Sequence, residues 1–136
     1  GYLHEGTVLM AARALKAGRY QQAEILLQDI KEPNYLGKNR RGFYEFIYGS
    51  IELQHHNYEK AEQHFQAASK LKLRSSNDRA IVWVHLANIN LRKQNTVQAE
   101  IYLQQAKKLN TSARVQQVIE KIYQALPARE LLRVSE

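Results

Sequence analysis

The chain has 136 residues, 44 % of them apolar, and a formal net charge of +7, which suits one domain with its own core and excludes a disordered chain. Cysteine is absent, so disulfides, thiol catalysis and Cys-bearing zinc sites are excluded. No apolar run approaches the ~20 residues of a membrane span, and the first residues lack a signal-peptide core.

Two prolines and six glycines among abundant Ala, Leu, Gln, Lys and Glu predict a helical chain. A first helix is expected over residues 4–17, with Val8, Ala11, Ala12 and Leu15 on one face and Gly18 as its stop. A second, over 20–30, turns Ala23, Leu26, Leu27 and Ile30 inward. Residues 31–42 hold Pro33, Asn34, Gly37, Asn39 and Gly42 and read as a loop. The third helix runs from Gly42 or Phe43 to Gln54, and Asn57 is expected to cap a fourth that reaches Leu71. Ser75-Ser76-Asn77-Asp78 makes the next turn, a fifth helix covers 79–93, and Thr96 opens a sixth. Asn110-Thr111-Ser112 caps a seventh that ends near Ala125, its apolar stripe being Val115, Val118, Ile119, Ile122 and Leu126. Pro127 ends that helix, and the remaining residues to 136 read as a frayed tail or a short extra turn.

The second helices share a pattern: Gly18-x-Tyr20-x2-Ala23-x3-Leu27, Asn57-Tyr58-x2-Ala61-x3-Phe65-x2-Ala68, and Thr96-x2-Ala99-x3-Leu103-x2-Ala106. Their alanine anchors are evenly spaced, since 61 − 23 and 99 − 61 are both 38. The first helices align at Met10-Ala11, Tyr48-Gly49 and Leu86-Ala87. Small residues at these positions let two helices approach closely, while Leu27, Phe65 and Leu103 fill the space beyond. Together with Trp83-x2-Leu86-Ala87-x2-Asn90, the unit resembles a tetratricopeptide (TPR) repeat, whose usual period is about 34 residues. The family prefers Gly where Ala87 stands and Tyr where Asn90 stands. The longer spacing places extra residues in the connecting loops.

The resemblance implies an all-α, right-handed α-solenoid of three antiparallel helix pairs plus a capping helix. Repeats are expected over about 4–37, 42–75 and 80–111, with the cap over 112–126, as one domain of residues 1–126 followed by a tail over 127–136. In this family the first helix of each pair lines a concave groove that receives a peptide or helix of a partner. Carried onto this chain, the groove positions include Val8, Ala12, Phe43, Phe46, Ile47, Ser50, Ile81, Val84, His85 and Asn88. Family members that grip acidic chaperone tails place cations and Asn at several of these positions. Only Asn88 matches here, so the groove is expected to be apolar, with Phe43, Phe46 and Ile47 either taking a hydrophobic or amphipathic segment or packing against adjacent helices or the tail.

No nucleophile elbow, phosphate-binding glycine loop or zinc-protease motif is present, and the chain is read as non-enzymatic, with no cofactor and no metal. Glu52, His55, His56 and Glu59 have a metal-like spacing but fall at a helix end and read as solvated. The charge is concentrated in 31–42 and 67–80, where Lys38, Arg40, Arg41, Lys72, Arg74 and Arg79 predict one basic edge. Cations at helix C-termini offset the macrodipole, which covers Lys31, Lys70, Lys107 and Lys108 but not Arg40 and Arg41.

The expected partner is a protein or peptide. The alternatives are an anionic surface or nucleic acid on the basic edge, with nucleic acid disfavoured because no aromatic platform accompanies the cations, or a structural segment of a longer membrane-tethered protein. Membrane contact is expected only through such an anchor or the basic edge. A cytoplasmic location is favoured over the soluble part of an anchored protein, and oligomeric state is left open.

Overall fold

The fold is known from a computed structural model that describes residues 2–71 and 73–126. Its regular elements are all helical: α1 (Tyr2–Lys16), α2 (Tyr20–Gln28), α3 (Lys38–Gln54), α4 (Tyr58–Lys70), α5 (Ser76–Arg92), α6 (Thr96–Lys107) and α7 (Ala113–Gln124). One 3-10 turn (Pro33–Tyr35) precedes α3. Helices α1 and α2, α3 and α4, and α5 and α6 fold back on each other as pairs; α3 also packs on α1 and α2, and α7 on α5 and α6. The chain divides into two compact units at Arg74–Ser75, so two helix pairs occupy the first unit and the third pair with α7 the second.

Three helices start earlier than expected: α1 at Tyr2 rather than residue 4, α5 at Ser76 rather than residue 79, and α3 by the widest margin. α3 begins at Lys38 rather than near Gly42, so Lys38 to Arg41 are helical and the preceding loop is short. Gly42 lies inside the helix, where its missing side chain leaves room for Leu73: a Cβ there would stand 2.7 Å from Leu73 Cδ2. Ser75 and Ser112 cap α5 and α7, their hydroxyls accepting from the N–H of Asp78 and Val115. Asn57 stands at the N-cap of α4 without a side-chain bond to that helix; its amide instead donates to Glu52 Oε2 at 2.7 Å. Asn95 repeats this contact more loosely toward Asn90 Oδ1, at 3.5 Å.

Each pair turns on the same device. Gly18, His56 and Gln94 have positive φ, at 78°, 62° and 63°, and they stand 38 residues apart. Their N–H groups donate to Leu15, Leu53 and Leu91, and the next N–H groups donate back to Ala14, Glu52 and Asn90 at 2.8 Å, which is the left-handed helix stop that satisfies orphan carbonyls. Only the first turn uses glycine. Gly18→Ala is expected to lower stability by about 1 kcal/mol and Gln94→Gly to raise it by about 0.5–1 kcal/mol, read as opposite shifts of the urea midpoint.

A second device has the same period. Asn39 Oδ1 accepts from the Arg74 N–H at 3.3 Å and Asn77 Oδ1 from the Ser112 N–H at 2.9 Å, so an Asn in the first turn of α3, and again of α5, holds the segment that follows the pair. The anchors Ala11, Ala23, Ala61, Ala87 and Ala99 are fully buried, and Gly49 admits the ring of Phe65, which a Cβ would meet at 2.8 Å. In the second unit Ala80, Val84, Ala87, Ala99, Leu103, Ala106, Val115, Ile119, Tyr123 and Leu126 form one cluster, which is how α7 is held to the third pair.

Candidate functional site

The groove positions separate by burial into two sets. Val8, Phe46 and Val84, equivalent in the three first helices, are 0 %, 6 % and 5 % exposed; they are core, and Phe46 meets Phe65 edge-on at 6.2 Å. Ile47 is fully buried as well. One helical turn along, Ala12 and Ser50 are half-buried and Asn88 is exposed, while Phe43 and Ile81 are half-buried. Positions 12, 50 and 88 are again 38 apart, as are 43 and 81. Each first helix thus keeps the same positions available. Ser50 Oγ donates to the Phe46 carbonyl at 2.9 Å, so its hydroxyl lies along the helix. Burial pushes the pKa of His85 down to about 4, leaving a neutral imidazole at physiological pH.

A polar cluster missed by motif reading joins α3 to α4. Glu45 is 5 % exposed. Its Oε1 accepts from Arg41 at 2.9–3.0 Å and its Oε2 pairs with His64 Nδ1 at 2.7 Å. Tyr48 stacks on His64 at 5.3 Å and meets Tyr44 edge-on. Burial works to raise the Glu45 pKa, but the hydrogen bond and charge of His64, then those of Arg41, outweigh it and hold the carboxyl below its ordinary value. Burial first, then neighbouring Tyr48 and Glu45, push Tyr44 up to about 12. Both carboxylate oxygens of Glu45 are engaged, so the group serves as a bridge between helices. The equivalent positions in the third pair hold Trp83 and Tyr102, stacked at 5.8 Å. One repeat closes this crossing with an ion pair and the next with rings.

The described basic residues are divided between the two units. Lys38, Arg40 and Arg41 lie at the start of α3, with no acid in its first turn, and Asn39 ties the Arg74 backbone beside them. Arg79 belongs to the second unit and donates to Ser76 Oγ, while Lys72 lies outside the described residues. Arg41 is held by Glu45, by Asn34 Oδ1 and over the Tyr44 ring. Arg40 Nε is buried and makes no hydrogen bond.

The spaced acids and histidines of the third-to-fourth helix turn are dispersed. Glu52 accepts from Asn57, His55 faces Glu24 at 4.0 Å, and His56 Nδ1 pairs with Tyr58 Oη at 2.9 Å. Among the described residues no group of three His, Cys, Asp or Glu is placed to hold a metal ion, and no helix is long and apolar enough to cross a membrane. A scan against protein-family models finds no match, and searches of curated proteins and of solved structures find none.

Proposed function

We propose that the chain is a non-enzymatic protein-interaction module, a TPR-type right-handed solenoid of three helix pairs and a capping helix, that binds a peptide or helix of a partner along its first helices. The observation that carries this reading is repetition of surface as well as core: Ala12, Ser50 and Asn88, with Phe43 and Ile81, keep accessible area at one phase of α1, α3 and α5. A repeat protein uses such equivalent positions to read an extended ligand. The burial of Val8, Phe46, Ile47 and Val84 narrows the contact set to these positions, with neutral His85 as a hydrogen-bonding neighbour.

Peptides selected from a displayed random library against the full chain test the proposal. Ser50→Arg and Asn88→Arg add bulk and charge at accessible positions and are expected to weaken the selected peptides roughly tenfold or more, with helicity by circular dichroism unchanged. Selected peptides indifferent to both changes would count against it.

A further inference from the structure

The α3–α4 pair has a second concavity, at the end where α3 starts and α4 stops. It is a cleft of about 390 Å³ with an aliphatic floor of Leu36, Ala67 and Leu71 and cations Lys38, Arg41 and Lys70 around it. We propose that this cleft captures a short acidic and apolar peptide segment of a partner protein, an aliphatic side chain covering Leu36 and Leu71 and carboxylates meeting Lys38 and Lys70. The inference rests on the chain being a protein-interaction module but uses a different surface from the first-helix positions.

Three observations lead there. First, the acid in the cleft does not neutralise the lysines. Glu45 spends one oxygen on Arg41 and the other on His64, and among the described residues neither Lys38 nor Lys70 has an ion-pair partner. Second, Lys38 stands at the first position of α3, where the helix dipole disfavours a cation. Lys70, in the last turn of α4, is favoured by its own dipole, so it is Lys38 that an anionic ligand would relieve. Third, the guanidinium that could grip a phosphate as a fork is already locked. Arg41 is committed to Glu45 and Asn34 and lies over Tyr44, leaving two ammonium groups that act as point charges. A phosphate or a lipid headgroup would leave the aliphatic floor uncovered. A peptide alternating acidic and aliphatic side chains satisfies both halves of the cleft.

The test uses the full chain and two short synthetic peptides carrying a neutral dye, one alternating Asp and Leu, the other alternating Asp and Ser, read by fluorescence anisotropy. The Asp-Leu peptide is expected to bind, and the combined change Lys38→Glu with Lys70→Glu to weaken it roughly tenfold or more; both lysines are exposed, so the variant keeps its helicity. The Asp-Ser peptide should bind at least roughly tenfold more weakly, and inorganic phosphate should not compete. Equal binding of the two peptides would overturn the proposal, as would absence of Asp-Leu binding. So would tighter, lysine-dependent binding of a single-stranded oligodeoxynucleotide or of phosphatidylserine vesicles. Ser50→Arg with Asn88→Arg separates this inference from the broader reading. If those changes abolish Asp-Leu binding and the lysine changes do not, the cleft is not the site while the module reading stands.

Discussion

Phe65→Ala in α4 is expected to destabilise the protein by about 3–5 kcal/mol, measured as the shift in urea midpoint at constant slope. Phe65 is fully buried, its ring fills the space left by Gly49, and it meets Phe46 edge-on at 6.2 Å. Gly49→Ala sharpens the expectation because two effects of opposite sign compete there. Alanine is the better helix former by roughly 0.5–1 kcal/mol, yet its Cβ would stand 2.8–3.0 Å from three atoms of the Phe65 ring. That overlap costs about 1–3 kcal/mol in a packed core, so Gly49→Ala destabilises the wild-type background. With Phe65 already reduced to Ala the overlap is gone, and Gly49→Ala should stabilise. The double-mutant cycle is therefore expected to show a change of sign, and additive effects would contradict the packing described.

Glu45→Gln is expected to cost about 1–3 kcal/mol, below the 3–5 kcal/mol of a wholly buried broken pair, because Arg41 and His64 side chains are 26 % and 31 % exposed and regain water. Its pH dependence has a definite sign. The folded-state pKa of Glu45 lies below its ordinary 4.5, so the stabilisation is complete above that ordinary value. It is lost as pH falls through the folded pKa. The stability difference between wild type and Glu45→Gln should therefore shrink as pH falls below about 4.5. Because Trp83 and Tyr102 occupy the same crossing in the third pair, Glu45→Trp combined with His64→Tyr should recover much of the loss from Glu45→Gln and remove this acid sensitivity. Urea titrations from pH 3 to 7 read both effects.

Helix identity was legible because close approach of two helices demands small residues, and Ala23, Ala61 and Ala99 recur at a fixed interval. The start of α3 was not. Gly42 and Asn39 have loop chemistry by type, yet both are helical: one leaves room for Leu73 and the other's Oδ1 accepts from the Arg74 N–H. Both partners lie more than thirty residues away in sequence. Moving Lys38, Arg40 and Arg41 from loop to first turn also changes the meaning of their charge, from cations of a loop edge to cations set against a dipole. The left-handed stops at His56 and Gln94 carry no signal in their side chains; counting 38 from Gly18 would have found them.

Among the groove positions a single helix face holds both core and accessible residues. Ala12 and Val8 both lie on an apolar helix face, and residue type does not decide which is core and which is accessible. The Glu45–His64 bridge pairs residues 19 apart in sequence and shows itself only when α3–α4 is set beside α5–α6.

Mapping a library-selected peptide onto the isotope-labelled chain by amide chemical-shift perturbation tests the proposed binding most directly. Shifts gathered around residues 12, 43, 50, 81 and 88, with saturation at a single affinity, are the expected result. Shifts confined to the outer residues of α2 and α6, where Ile25, Val97 and Ile101 are exposed, would contradict it.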